Sequence, residues 1–408
     1  MSEIEFFVGI DWGAETHRVC VVDAKRTVLA EWSVSHDSQS IAAMVARLLE
    51  IAGNAERLAV GIETRWTAVV EGLLERSIRV KCINPKQLDR FRDRHTMAGA
   101  KDDRRDAFVL ADSIRTDGDA FREVKLGDPR LVELRELFRM HDELGEEQNA
   151  LAGRLYSQLI RVFPQVLELG SVYRDLWVLA LLERAPTPTH VQALSLAKIR
   201  TVLNKYGVRK WTPEEVRQTL QKQPLPVAPG VESAAQTHIQ MLLPRLSLVN
   251  SQMRAVREAL DGLLDELAQP STDPERKEHR DVTVLRSLPG VGTIVGAAML
   301  AEAHEALAAR DYHRLRSLCG AAPVTRQSGK SHSTVMRYAC NRRLRDATSF
   351  MAHTLVRYDP KLKALYTRHP ERGHSHGHAL RVVTDRALAL LIAMLRDGTE
   401  YDKTKRAA

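Results

Sequence analysis

The sequence predicts an α/β domain followed by a largely helical remainder, from three observations. Residues 6–33 hold three β-branched-rich runs separated by short polar turns, which is typical of an antiparallel meander. Residues 40–83 then alternate helical and strand patterns, as βαβ crossovers do. From residue 128 onward the apolar spacing is that of helices, including two long ones. A meander joined to crossovers gives a mixed sheet flanked by helices, which is the RNase H-like pattern.

Local signals place five strands and two helices in this first domain. The strands are predicted over residues 6–13, 17–23, 27–33, 57–62 and 78–83. The helices are predicted over residues 40–52 and 66–76. Ser40 is a suitable N-cap for the first helix, and Gly53 is a residue type that ends helices. Two of the strands end near a carboxylate, Asp11 for the first strand and Glu63 for the fourth.

A third helix with an acidic start follows a basic segment. Residues 89–101 are basic and poor in apolar side chains, which predicts mobility. Residues 102–111 begin with acidic side chains that complement the helix macrodipole and continue with an apolar stripe, so they predict a helix N-terminus. Asp103 and Asp106 are three residues apart and therefore project from one face. Asp102 and Asp106 also share a face, so Asp102 remains an alternative to Asp103.

Two long helices are predicted in the middle of the chain. Residues 128–169 are charged, with leucines on one side. Residues 239–267 place apolar side chains at alternating steps of three and four, although Pro244 requires a kink or a later start. The two helices either pack together as an antiparallel hairpin or form an intermolecular coiled coil that sets the oligomeric state. The sequence leaves both open, and residues 170–230 are predicted to hold shorter helices.

A third unit begins after a predicted linker over residues 270–281. A helix-hairpin-helix turn is indicated by Leu288-Pro289-Gly290-Val291-Gly292, which precedes a small-residue helix over residues 293–303. The backbone N–H groups around Gly290 and Gly292 in such a turn bind a phosphate without reading sequence. We therefore predict three domains, over residues 1–125, 126–275 and 276–400.

Composition narrows the class of protein and partner. The 408 residues are enough for two or three domains with their own cores, and the net charge of +8 suggests a polyanionic partner. The cysteines Cys20, Cys82, Cys319 and Cys340 form no CxxC pair, so we expect reduced thiols, no zinc site and a cytoplasmic location. No apolar run approaches the ~20 residues of a membrane span. We expect a soluble protein without a signal peptide or a membrane partner.

Four acidic residues form the first chemical constellation. Asp11 and Glu63 lie near strand ends, while Asp103 and Asp106 share one face of a following helix. Converging carboxylates of this kind bind two Mg²⁺ ions, which activate a nucleophile and stabilise the leaving oxygen in phosphodiester chemistry. Any single one of these residues is more often structural, so the prediction depends on the four together in this order.

A serine among basic residues forms the second constellation. Ser328 precedes Gly329 in a predicted tight turn that leaves its hydroxyl accessible. The surrounding basic residues are Arg326, Lys330, Arg337, Arg342, Arg343 and Arg345. Their density suits phosphate binding and lowers the cost of serine attack on phosphorus. Local chemistry alone favours a turn residue over a nucleophile, and Ser331 and Ser333 are alternatives.

Three histidines alternate with small residues near the C-terminus. The spacing of His374, His376 and His378 is compatible with a metal site. The interleaved glycine and serine residues favour a loop ahead of a helix over residues 380–395. We interpret the three histidines as loop residues.

With these motifs in place, the chain resembles the DEDD transposases of the insertion-sequence-110 family, which include the Piv-type site-specific invertases. The resemblance covers nearly the whole chain and rests on GIDWG, GIE, KDDRRDAFVLAD and LPGVG. Its most specific part is APVTRQSGKSHSTVMRYACNRRLRDA. One departure is that Thr64-Arg65-Trp66 follows Glu63, where family members often have Thr-Gly.

The resemblance implies an Mg²⁺-dependent DNA recombinase. We expect it to be a bacterial protein that associates with the nucleoid. An RNase H-like domain would supply the four acidic residues, and the family's usual Lys-Thr-Asp favours Asp103 over Asp102. A C-terminal transposase domain would supply Ser328 for a covalent link to DNA. The family further implies a dimer or tetramer joined through the coiled coil, in which an acidic site meets a serine site of another subunit. It also implies a structured noncoding bridge RNA that pairs with donor and target DNA.

Three other hypotheses compete with the interpretation of the chain as a transposase. A junction-resolving nuclease with the same acidic site would use water as its nucleophile and leave no protein–DNA adduct. A sugar-kinase or actin-like ATPase also begins with a GIDxG strand, but the sequence lacks a second Gly-Asp phosphate turn and an adenosine-binding Gly-Gly. A non-catalytic nucleic-acid-binding protein with a decayed site is disfavoured by the full acidic set.

Overall fold

The computed structural model describes residues 4–64, 67–93, 102–124, 128–269, 278–329, 331–371 and 373–404. The chain forms two compact units, Met1–Asp128 and Pro129–Ala408, called here the N-terminal unit and the C-terminal unit. In the described part of the chain, no helix is both long and apolar enough to cross a membrane.

The N-terminal unit is built on a six-stranded mixed sheet. Its strands are β1 Phe6–Asp11, β2 Thr16–Asp23, β3 Val28–Ser35, β4 Leu58–Ile62, β5 Arg79–Cys82 and β6 Arg122–Val124. Their order across the sheet is β3-β2-β1-β4-β5-β6, with β1 antiparallel to β2 and parallel to β4. The predicted mixed sheet is confirmed, and its assignment as RNase H-like stays a prediction. The short β6, antiparallel to β5, was not predicted, because three residues carry too little pattern.

Helices lie on both faces of this sheet. They are α1 Ser38–Ala52, α2 Ala68–Glu75, α3 Pro85–Asp93 and α4 Asp103–Asp117. Val8 and Ile10 pack in one core with α1 and α2, while Phe7 packs in another with α4. Successive side chains of a strand point to opposite faces, so β1 is covered on both sides.

One prediction about these helices is wrong. Asp37, rather than Ser40, caps α1, and its carboxylate accepts a hydrogen bond from the Ser40 backbone N–H at 2.8 Å. Residues 89–93 belong to α3, a helix that was not predicted, and the mobility predicted for residues 89–101 stays a prediction. Pro85 begins this helix, where the missing N–H of proline has no cost. The rest of the segment predicted to be mobile, residues 94–101, lies outside the described residues.

The C-terminal unit is mostly helical. Its helices are α5 Pro129–Val162, α6 Gln165–Leu169, α7 Leu176–Leu182, α8 Leu196–Lys205, α9 Pro213–Leu220, α10 Val231–Ala268, α11 Glu278–Ser287, α12 Thr293–Ala308, α13 Tyr312–Leu318, α14 Arg342–Tyr358, α15 Pro360–Glu371 and α16 His376–Asp397. Two strands, β7 Val324–Ser328 and β8 Ser331–Val335, form an antiparallel hairpin that was not predicted. The predicted linker over 270–281 is shorter on its C-terminal side, because α11 begins at Glu278.

The long helices α5 and α10 pack against each other within the chain. The N-terminal part of α5 shares a core with the C-terminal part of α10, and the opposite ends share a second core, so the helices are antiparallel. The predicted apolar stripe of α10, from Ile239 to Leu267, lies almost entirely in these two cores. The helix runs through Pro244. Of the two arrangements left open by the sequence, the chain itself forms the antiparallel hairpin, and an intermolecular coiled coil stays a prediction.

Candidate acidic site, serine hairpin and family

Two glycines allow α4 to lie directly on the sheet. A Cβ atom at Gly9 would lie 1.9 Å from the Ala107 carbonyl oxygen, and one at Gly61 would lie 2.6 Å from Ile114 Cγ1. Separations under 3 Å are not found for real Cβ atoms, so any larger residue at Gly9 would push the helix backbone away. Glycine in a strand interior marks this kind of close backbone approach.

Two contacts at the C-terminal end of α4 show in which direction the helix runs along β1. Arg115 Nη1 donates a hydrogen bond to the Ala24 carbonyl oxygen at 3.4 Å, and Arg26 pairs with Asp112 at 3.4 Å. Residues 24–26 follow β2, whose last residue pairs with the first residue of β1. The C-terminal half of α4 therefore lies near the start of β1, and its N-terminal half extends towards the end of β1.

The two strand-end carboxylates lie at that same edge. In the parallel pair β1–β4, Ile10 is opposite Ile62, so Asp11 and Glu63 follow at neighbouring positions. Asp11 is two residues after Gly9, and Glu63 two residues after Gly61. Both therefore point to the face that α4 covers. The structure thus brings all four predicted acidic residues to one edge and one face of the sheet.

The four carboxylates differ in exposure and in role. Asp106 is 2% exposed, Asp11 and Glu63 are half-buried, and Asp103 is exposed on the first turn of α4. Asp102 is the N-cap of α4, and its carboxylate accepts a hydrogen bond from the Arg104 N–H at 3.3 Å. Its cap position gives Asp102 a structural task that Asp103 does not have.

Arg92 of α3 holds the buried Asp106. Its Nε donates to Asp106 Oδ1 at 2.8 Å, and Nη1 donates to Asp89 at 2.6 Å. Burial lowers the pKa of Arg92, but its hydrogen bonds and attraction to Asp106 and Asp89 outweigh this, so the pKa lies above its usual value. Sequence reasoning missed Arg92, because a partner fourteen residues away on another helix leaves no local pattern.

The donor chemistry of the acidic edge fits Mg²⁺, which prefers carboxylate oxygens. Within the described residues, three or more ligating side chains lie within 4.8 Å of one another only at a histidine cluster in the C-terminal unit. The acidic edge therefore has the residue types of a magnesium site. In the described part of the chain, no three of its carboxylates lie within 4.8 Å of one another.

Ser328 lies at the tip of the β7–β8 hairpin. It is the last residue of β7, is exposed, and is opposite Ser331 across a two-residue turn. Gly329 has φ of +55°, the left-handed region that glycine favours. The predicted tight turn with an accessible serine is confirmed. Lys330 lies outside the described residues.

The arginines near this hairpin are not equally available. Arg326 is two residues before Ser328 on the same face of β7 and is exposed. Arg337 donates to the Ala322 carbonyl oxygen at 3.3 Å. Arg342 and Arg345 both lie near the carboxylate of Asp346 in the first turns of α14, and Arg343 pairs with Asp142 of α5 at 2.7 Å. The carboxylates of Asp346 and Asp142 therefore offset part of the charge of these three arginines.

The predicted helix-hairpin-helix turn joins α11 to α12. Gly290 has φ of +94°, and a Cβ atom there would lie 2.9 Å from Thr354 Cβ of α14, so glycine is required. Gly292 is the N-cap of α12. Both glycines line a recess of about 520 Å³, together with side chains that include Arg257 and Arg343. The turn therefore opens onto a recess that holds two arginines and three carboxylates, those of Asp142, Glu146 and Asp346.

Comparison with known proteins places these residues in a family. Residues 8–164 match the family model for DEDD transposases of the IS110 type, and residues 282–367 match the model described as transposase IS116/IS110/IS902 family. The chain is 30% identical to the mini-circle putative transposase for IS117 of Streptomyces coelicolor, over 100% of this chain and 98% of that protein. The chain belongs to the IS110 family of transposases. The resemblance inferred from its motifs is confirmed.

Other relatives match the chain over different lengths. A putative transposase y4uE of Sinorhizobium fredii is 41% identical over 50% of this chain and 58% of its own length. An uncharacterized 42 kDa protein of insertion element IS900 of Mycobacterium paratuberculosis is 26% identical over 97% of this chain and 96% of its own. The two matched segments of this IS110-family transposase contain every candidate residue, the acidic edge in the first and the serine hairpin in the second.

Proposed function

We propose that this IS110-family transposase excises and inserts its own insertion sequence by Mg²⁺-dependent strand cleavage, covalent phosphoserine linkage, exchange and religation, guided by a noncoding bridge RNA. The observation that carries the proposal is the seating of α4 on Gly9 and Gly61. It brings four carboxylates to one edge of the sheet, in a chain that also carries an exposed serine at a hairpin tip.

Asp11, Glu63, Asp103 and Asp106 are the residues that would hold the metal. Mg²⁺ supplies positive charge that polarises the scissile phosphate and stabilises the leaving oxygen. Arg92 neutralises Asp106 in the structure described here, at 2.8 Å. Full engagement of Asp106 as a ligand then requires that Arg92 withdraw, and this gives α3 a part in assembling the site.

Ser328 is the proposed nucleophile. Its hydroxyl loses a proton to a base of the assembled site, Oγ forms a bond to phosphorus, and the bond from phosphorus to the leaving deoxyribose oxygen breaks. The released strand end takes a proton and becomes a free hydroxyl. Attack by another strand's hydroxyl on the phosphoserine reverses the step and restores Ser328. Arg326, exposed on the same face of β7, can stabilise the charge that develops on the phosphate oxygens.

The proposed assembly is a homo-oligomer, dimer or tetramer, in which the acidic edge of one subunit meets the serine hairpin of another. The large apolar side chains that α10 leaves exposed, Met241 and Leu248, are available for coiled-coil contacts between subunits. The net charge of +8 supports binding to both DNA and RNA. Pairing of DNA with a bridge RNA would leave the protein to contact phosphates at sites such as the recess beside Gly290 and Gly292.

Trapping of the covalent adduct tests this function. The purified protein is incubated with its co-purified RNA, Mg²⁺ and element-junction DNA, then denatured and digested, and nucleotide-bearing peptides are mapped by mass spectrometry. We expect an adduct on Ser328 that is absent in Ser328→Ala and in Asp11→Ala. Ser333→Ala, on the same hairpin face, is the matched control and should retain the adduct. Cleavage with free ends and no adduct would instead identify a junction-resolving nuclease that uses water.

A further inference from the structure

Three histidines come together where α15 meets α16. His369 lies near the end of α15, His374 in the connection, and His378 in the first turn of α16. One ring nitrogen from each lies within 4.8 Å of the other two. The ring centroids of His374 and His378 are 4.6 Å apart, and that of His369 is 5.6 Å and 5.3 Å from them.

This cluster corrects the interpretation made from sequence. His376 and His378 are helical residues of α16, which begins at His376 after the N-cap Ser375. The alternate spacing of His374, His376 and His378 grouped the wrong three residues. The helix turns His376 towards Tyr366, whose hydroxyl lies 2.5 Å from His376 Nδ1. His369, five residues before His374, takes its place.

The backbone holds the three rings in position. The His374 N–H donates to the His369 carbonyl oxygen at 3.1 Å, which closes the connection on the end of α15. The Ser375 hydroxyl accepts a hydrogen bond from the His378 N–H at 3.3 Å and fixes the start of α16. Gly373 has φ of +79°, which allows the tight reversal. The ligand positions are therefore set by the fold.

One ring nitrogen lacks a hydrogen-bond partner. His369 Nδ1 is buried, and no hydrogen bond reaches it from any described residue. An unsatisfied buried polar atom costs about 1–3 kcal/mol, and a bond to a metal removes that cost.

We propose that His369, His374 and His378 bind a transition-metal dication, Zn²⁺ above all, at the junction of α15 and α16. Imidazole nitrogens suit Zn²⁺, Co²⁺ and Ni²⁺, whereas Mg²⁺ prefers oxygen, so this site is chemically distinct from the acidic edge. Three protein ligands leave the fourth tetrahedral position to water or another ligand.

The metal would tie the end of α15 to the start of α16. One turn beyond His378, Arg381 of α16 contacts Met336 Sδ at 3.2 Å. Met336 directly follows β8 of the hairpin that carries Ser328. The cross-link would therefore stabilise the helix that contacts the residue directly after the serine hairpin.

Cobalt titration of the full-length protein tests the proposal. After removal of metal with a chelator, Co²⁺ is added and the visible d–d absorption is recorded, followed by competition with Zn²⁺. We expect one equivalent of Co²⁺ with the strong absorption of a tetrahedral site, displaced by Zn²⁺. His374→Ala and His378→Ala should each weaken binding at least roughly 100-fold, because changes merely around metal ligands already cost 10–100-fold.

His376→Ala is the matched control, since this exposed histidine lies two residues from both His374 and His378 but outside the cluster. It should bind Co²⁺ like the unaltered protein. Asp11→Ala and Ser328→Ala should also bind normally, which separates this site from the proposed recombination chemistry. Circular dichroism confirms that each variant is folded. The proposal is overturned if the unaltered protein shows no tetrahedral absorption, or if His374→Ala and His376→Ala bind Co²⁺ equally.

Discussion

At the scale of single residues, the ion pair between Arg92 and Asp106 is the feature that distinguishes the observed acidic edge from its proposed metal-bound state. Asp106 carries a carboxylate that is 2% exposed, and Arg92 is the partner that compensates it at 2.8 Å. A divalent ion would supply the same compensation. The arginine and the proposed metal would therefore compete to compensate the charge of one carboxylate.

The first prediction follows from this competition. Arg92→Ala should lower the free energy of unfolding by about 3 kcal/mol, because removal of one partner leaves a buried charge uncompensated. Mg²⁺ should then raise the melting temperature of the variant more than that of the unaltered protein. Thermal denaturation with and without Mg²⁺ measures both effects. Arg90→Ala, exposed on the same helix, is the control, and equal Mg²⁺ shifts in all three proteins would contradict the competition.

Gly9 provides a second prediction at this scale. Gly9→Ala places a Cβ atom 1.9 Å from a backbone oxygen of α4, so the helix must move away. We expect a loss of about 2 kcal/mol in stability, typical of overpacking, and loss of cleavage activity. Gly72→Ala is the control, because a Cβ atom there meets its nearest neighbour at 3.6 Å and alanine favours the α2 helix. Urea denaturation compares the two, and equal stability would show that α4 does not depend on Gly9.

At the scale of elements, the β7–β8 hairpin depends on the backbone at Gly329. Its φ of +55° suits glycine and is tolerated by asparagine. Gly329→Ala should cost about 1 kcal/mol in the folded hairpin and reduce the yield of phosphoserine about tenfold by shifting Ser328. Gly329→Asn should retain most of the yield. Adduct formation measured for both variants decides this, and an equal loss in both would mean that the turn conformation is irrelevant.

Elements differ in how well the sequence predicts them. Strands β1, β2, β4 and the helix α4 were predicted because apolar runs, carboxylates and a capped acidic start coincide there. The β7–β8 hairpin was missed, because its exposed strands are rich in arginine, serine and threonine and lack apolar alternation. The α10 stripe was predicted correctly, but periodicity shows which face is apolar and not what covers it.

Some residues of the candidate sites could likewise be predicted from local sequence, and others could not. Strand polarity was enough to bring Asp11 and Glu63 together, and helical spacing was enough for Asp103 and Asp106. Gly9 and Gly61 are visible in the sequence as glycines inside two strands. We did not infer from them that the backbone of α4 lies close to the sheet. Arg92 and His369 could not be found, because their partners are set by how separate helices fold back on one another.

At the scale of the whole molecule, the α5–α10 hairpin joins the middle of the chain to its C-terminal helices. Leu246 of α10 is 1% exposed within the core shared with α5, whereas Leu248 is 57% exposed. Leu246→Asp should therefore unfold the C-terminal unit, because it buries an unpaired charge. Leu248→Asp should leave the fold intact. Circular dichroism and gel filtration distinguish the two variants. If Leu246→Asp gave folded protomers that no longer associate, the stripe would pair between chains, as an intermolecular coiled coil requires.

The seating of α4 has one more consequence. Asp103 and Asp106 are carried on a single rigid rod, and Asp11 and Glu63 on two strands bonded to each other. The four proposed ligands therefore belong to only two bodies, whose backbones are in close contact at Gly9. Any displacement of α4 on the sheet would shift two of the proposed ligands together and leave the spacing of the other two unchanged.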